Sequence, residues 1–76
     1  MAHSTFTVRA FEFLGRYEVH FAKDGEGFFL YEIEDLETLA TVDAKDGLTE
    51  EELLGAVGCA LEPKALLEFE ALVHSL

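Results

Sequence analysis

The chain has 76 residues, half of them apolar and 28% charged, with a single proline. A chain of this length buries roughly 60% of its unfolded surface around one modest core, which excludes a cofactor domain with a separate substrate domain, and the composition excludes a disordered chain. Sixteen Asp and Glu against five Lys and Arg give a formal charge of -11, which repels nucleic acid and anionic membrane surfaces and attracts a basic partner.

In chain order, the start Met1-Ala2-His3-Ser4 has no basic stretch leading into an apolar one, so no signal peptide is expected. No apolar run approaches the ~18 residues of a membrane span. Thr5 to Phe13 alternates, with Phe6, Val8 and Ala10 on one phase and Phe11 and Phe13 on the other. A change of phase requires a bulge or bend, expected near Ala10 and Phe11. A turn follows at Leu14-Gly15-Arg16. In the next strand Tyr17, Val19 and Phe21 point one way, and Glu18 and His20 the other. Lys23-Asp24-Gly25-Glu26-Gly27 reads as a hairpin loop. Phe29, Tyr31 and Ile33 are then expected inward, with Phe28, Leu30, Glu32 and Glu34 outward.

Asp35 to Asp46 is ambiguous. Leu36, Leu39, Ala40 and Val42 suit a short helix, while Thr41 and Val42 suit a fourth strand. Beyond Gly47 the pattern is helical. Thr49 and Glu52 form a T-x-x-E capping box, and Leu53, Leu54, Val57, Ala60 and Leu61 form an apolar stripe. Pro63 ends this helix and suits the first turn of another, in which Leu66, Phe69, Leu72, Val73 and Leu76 share a face opposite Leu67 and Ala71. The fold class is α+β: one domain over residues 1–76, with a small antiparallel sheet of three or four strands followed by two or three helices on one face. Gly55 and Gly58, off the main stripe of the middle helix, suggest close approach of another backbone.

No catalytic constellation is present, so the reading is a non-enzyme. Ser4 and Ser75 lie near the ends. Cys59, among Ala, Leu and Val, reads as a small buried hydrophobe. As the lone cysteine it excludes an intrachain disulfide and fits a reducing cytoplasm. His3, His20, His74 and Cys59 show no metal-ligand spacing. EF-hand frames built on Gly27 or Gly47 lack the necessary carboxylates. No metal and no cofactor are expected. A nucleic-acid stacking surface around Phe28 or Tyr31 would need basic neighbours, and the neighbours are acidic.

The acid therefore carries the functional reading. Glu26, Glu32, Glu34, Asp35 and Glu37 cluster within twelve residues, and Asp43, Asp46, Glu50, Glu51 and Glu52 form a second group. The bland reading is a solvated surface, but so large an excess adds self-repulsion that mixed charges would avoid. Glu32 and Glu34 project together, about 7 Å apart at the strand rise. The first group is the candidate partner-binding face.

From Tyr17 the chain reads YEVHFAKDGEGFFLYEIEDLETLAT and then GLTEEELLGAVGCAL. Over about residues 17–61 this resembles the HicB-like antitoxin domain, with Tyr17, Asp24, Gly27, Asp35, Leu36, Thr41, Thr49 and Glu52 matching by position. The Pro-Gly-Cys that usually follows Asp-Leu in that family is Glu37-Thr38-Leu39 here. The family's Gly-Asp-Thr is Gly47-Leu48-Thr49, and Thr5 to Leu14 is additional. No appended DNA-binding motif is expected within residues 62–76. The resemblance implies a non-catalytic protein that covers a small basic RNA-cleaving toxin. By composition the chain also looks like small acidic phage inhibitors, including some anti-CRISPR proteins, whose carboxylates stand in for phosphates. Both likenesses imply an inhibitor docked on a basic, nucleic-acid-binding protein. The alternative expectation is a homodimeric accessory subunit held by exposed Phe28, Leu30, Leu67 and Ala71.

Overall fold

The computed structural model describes residues 8–25 and 27–76. Alternating apolar residues from Phe11 to Ile33 generate strands, and the 3.6-residue pattern after Thr49 generates helices. The order is β1 (Arg9–Phe13), β2 (Tyr17–Asp24), β3 (Gly27–Asp35), β4 (Ala40–Val42), β5 (Lys45–Leu48), α1 (Glu50–Gly58) and α2 (Pro63–His74). The class is α+β, as expected. The strands form one antiparallel sheet in the order β1-β2-β3, and the far edge of β3 is shared. β4 pairs with Ile33 to Asp35, and β5 pairs with the Phe28 end.

The β1–β2 turn is closed by the Arg16 N–H donating to the Phe13 carbonyl at 3.0 Å. Its two central residues, Leu14 and Gly15, both have positive φ. β1 then pairs with β2 without a shift from Arg9 to Phe13. The irregularity expected at Ala10–Phe11 does not occur there. Phe11 and Phe13 take the inner phase, Ala10 and Glu12 are exposed, and Phe6 lies outside the described residues.

The phase change falls in β3 instead. Val19 pairs with Ile33 and His20 with Glu32, but Phe21 pairs with Leu30. Tyr31 is thus an extra residue, a bulge that exchanges the faces of everything before it. Ile33 is buried as expected. Phe28 and Leu30 are buried too, whereas Tyr31 is 52% exposed and Phe29 is only partly buried. The expected inward placing of Phe29 and Tyr31, and the outward placing of Phe28 and Leu30, are both corrected by this one insertion.

Residues 36–39 form a turn, not a helix, and the strand alternative holds for Thr41 and Val42. β5 is an addition to the sequence reading. It is hard to see there because Gly47 sits at positive φ in a stretch whose pairing with β3 is itself irregular.

The helices close one face of the sheet. At α1 the Thr49 side chain accepts from the Glu52 N–H at 3.1 Å, and Glu52 Oε1 accepts from the Thr49 N–H at 2.9 Å. α1 stops at Gly58, so Cys59 caps the helix and is exposed, not buried as expected. The buried spacing runs through Leu53, Val57 and Leu61, and Cys59 is out of phase with it. α2 begins at Pro63 and buries Ala65, Phe69 and Val73. Phe69 meets the sheet through edge-on contacts with Phe21 at 5.2 Å and Phe13 at 5.8 Å.

Among the described residues, no second backbone approaches either helical glycine. A methyl added at Gly58 would lie 3.2 Å from Leu66 Cδ2, while one at Gly55 would meet open space. Gly55→Ala should therefore add about 1 kcal/mol of stability, measured by urea unfolding; a loss would reveal an unseen contact. The bulge makes a sharper prediction. Leu30→Ala should cost about 2–5 kcal/mol, and Tyr31→Ala less than about 1 kcal/mol. The reverse ranking would place the extra residue elsewhere in β3.

Candidate functional site

The outer face of the sheet follows from the pairing. Glu12 on β1 lies opposite Glu18 on β2, Glu18 lies opposite Glu34 on β3, and Glu34 lies opposite Thr41 on β4. The neighbouring row runs Ala10, His20, Glu32. Directly opposed residues stand with their Cβ atoms about 4.5–5.5 Å apart, and opposed like charges are destabilising. Three glutamates therefore run across the strands with Glu32 beside them, and no Lys or Arg occupies either row.

Within this patch His20 holds the centre. Its Nε2 lies 3.0 Å from Glu18 Oε1 and 3.7 Å from Glu34 Oε1. The three side chains are half-buried, at 22% exposure for His20, 33% for Glu18 and 36% for Glu34. Tyr31 flanks them, its ring 6.4 Å from that of His20, and Phe29 stacks on at 6.2 Å from Tyr31. Hydrogen bonding to the neighbouring Glu32 carboxyl, then burial and the Glu32 charge, raise the pKa of Glu34, against a smaller opposing pull from His20.

Glu18, His20 and Glu34 bring one ligand-type atom each to within 4.8 Å of one another. The spacing of His and Cys along the chain does not reveal this set, because two of its members are carboxylates and one comes from the next strand. Glu12, Glu18 and His20 were all outside the expected site. The available signal was the E-x-H of β2 set against the E-x-E of β3, legible once the hairpin register is known.

The expected residues divide. Glu32 and Glu34 share the outer face. Asp35 belongs to a separate network at the end of the sheet. Its Oδ1 accepts from Arg16 Nε at 3.1 Å and its Oδ2 from Arg16 Nη2 at 3.0 Å. Its Oδ1 also accepts the backbone N–H groups of Glu37 at 3.0 Å and Thr38 at 3.3 Å. The Arg16 guanidinium lies 4.9 Å above the Tyr17 ring, and comes within 3.9 Å of Glu37 and 3.7 Å of Glu62 at the start of α2. Asp35 thus joins the β1–β2 turn to the end of β3, and Glu37 sits at the exposed margin of that network. Glu26 lies outside the described residues.

The described residues enclose no pocket for a small molecule, and no helix among them is long and apolar enough to cross a membrane. Comparison with protein-family models, with curated proteins and with solved structures gave no match to this chain.

The Arg16–Asp35 pair predicts a pH signature. Hydrogen bonds from Arg16, followed by those from the Thr38 and Glu37 amides, outweigh burial and hold the Asp35 carboxyl at about 2, against an ordinary 3.8. A depressed carboxyl stabilises the fold above its unfolded value, and that contribution disappears as the pH falls through the folded one. Asp35→Asn should therefore melt below wild type at pH 7, with the two curves converging between pH 3.8 and 2. A gap that persists unchanged at pH 2 would contradict the ion pair.

Proposed function

We propose that the protein is a non-enzymatic acidic inhibitor or binding protein. Its outer sheet face docks on the Lys- and Arg-rich surface of a protein that handles nucleic acid. The supporting observation is the unbroken row Glu12, Glu18, Glu34 with Glu32 beside it. Carboxylates repeated at the strand spacing of about 4.8 Å offer Lys and Arg the dense anionic line that a phosphate backbone offers them. Opposed carboxylates oppose folding, and a cationic partner would turn that mutual repulsion into attraction. The net charge of -11 steers such a partner at long range and makes the encounter sensitive to salt.

The resemblance to HicB-like antitoxin domains over residues 17–61 supports the same reading, as does the likeness in composition to acidic phage inhibitors. Of the expected partner residues, Glu32 and Glu34 lie at the centre of this face, and Glu12 and Glu18 extend it. Asp35 and Glu37 serve the Arg16 network, so their contribution to docking is indirect. The alternative, a homodimeric accessory subunit, loses Phe28 and Leu30 to the core, and keeps Leu67 and Ala71 as its exposed surface.

The test is a pull-down at low and high salt with wild type and with a Glu12→Lys, Glu34→Lys double variant, circular dichroism serving as the folding control. Wild type should retain a basic protein that duplex nucleic acid displaces and that salt releases. The double variant should lose about tenfold or more in affinity, since rim and patch charges govern both encounter and salt dependence. A folded variant with unchanged affinity and salt dependence would remove this face. A dimer by light scattering with no basic partner would favour the accessory subunit.

A further inference from the structure

We propose that Glu18, His20 and Glu34 form a binding site for a divalent first-row transition metal on the outer face of the sheet, with zinc the best fit. This goes beyond the docking proposal and does not depend on it. The geometry is that of a preformed ligand set. The two carboxylates, one from each strand, converge on the same imidazole nitrogen, at 3.0 Å and 3.7 Å from His20 Nε2. The edge of a tetrahedron with metal–ligand bonds of about 2.1 Å is about 3.4 Å, so the two nitrogen–oxygen separations bracket that value. The third separation also falls inside the 4.8 Å limit that holds for all three atoms.

The donor types select the cation. A neutral imidazole with two carboxylates suits zinc and its first-row neighbours, whereas calcium and magnesium take oxygen. The cation would replace the proton that Nε2 shares with Glu18. Glu32, opposite His20 on β3, stands ready as a further carboxylate, or water completes the shell. The dication would clip β2 to β3 and offset the mutual repulsion of the glutamates around it. The other described imidazole–carboxylate contact, His74 with Glu50 at 3.3 Å, has one carboxylate and wide exposure, and supplies the control.

The experiment is zinc competition against a chromophoric chelator on the full chain, with zinc-induced shifts of the imidazole ¹⁵N signals as a second readout. Wild type should bind one zinc more tightly than it binds calcium, and the first equivalent should move the His20 ring signals. His20→Gln and Glu34→Gln should each weaken zinc binding about tenfold or more, since loss of even an outer-shell partner costs about 10–100-fold and these two are direct ligands. A variant with both His3→Gln and His74→Gln should keep wild-type affinity. Zinc should raise the melting temperature of wild type but not of His20→Gln. Unchanged affinity in folded His20→Gln, or wild-type zinc binding no tighter than calcium binding, would overturn the site. Glu12 lies in the carboxylate row but outside the metal set, and His20 lies in the metal set but carries no carboxylate. Loss of partner binding in a Glu12 variant and loss of zinc in a His20 variant therefore report separately on the two proposals.

Discussion

The extra residue at Tyr31 decides which side chains of this small sheet are packed and which are presented. Gly27 pairs with Asp24 at the hairpin, and an uninterrupted ladder from that pair would set Glu18 opposite Ile33. One inserted residue moves the register by one, so that Val19 meets Ile33 and Glu18 meets Glu34. A single bulge thus buries Phe28, Leu30 and Ile33 together and aligns glutamates across the opposite face. The core and the acidic patch are two consequences of the same backbone event, because side chains alternate with a period of two.

Around that event the molecule separates two uses of charge. Arg16 gathers Asp35, Glu37 and Glu62 at one end of the sheet, where opposite charges and backbone amides meet. There the acid is part of the scaffold, and it ties together segments 19 residues apart in the chain. On the outer face the acid meets acid, with His20 the one basic group among the described residues of the two rows. A face of opposed like charges is unfavourable to folding by itself. Small domains have little stability to spare, and in the two proposals a cation offsets this repulsion, as a metal ion held between strands or as the lysines and arginines of another protein.

Legibility in the sequence followed the range of the interaction that decides each feature. Thr49 and Glu52 are three residues apart, and their reciprocal cap was readable directly. So were Pro63 at the start of α2 and the turn at Leu14-Gly15-Arg16. Strict alternation from Ile33 puts Phe29 and Tyr31 inward; the bulge that reverses them is set by β2 pairing and core packing, not by any local motif. β5 escaped notice because Lys45-Asp46-Gly47-Leu48 has no apolar alternation and becomes a strand by lying along the open edge of β3. Cys59 looked buried beside Ala60 and Leu61, but α1 ends one residue earlier and turns it outward. The five expected acids are neighbours along the chain. The face that forms is grouped by register, and so recruits Glu12 and Glu18 from other strands while Asp35 is drawn off by Arg16.

Both readings need carboxylates crowded on the outer face, and Glu34 beside Glu32, its neighbour two residues earlier on β3, is where that crowding acts. A side-chain ¹³C titration of the glutamates by nuclear magnetic resonance measures it directly. The crowding requires Glu34 to titrate above the ordinary 4.5, held up first by its hydrogen bond with Glu32 and then by burial and the Glu32 charge. A Glu34 carboxyl that titrates at or below 4.5 in the folded protein would show that Glu32 and Glu34 do not crowd one another, and would contradict the account.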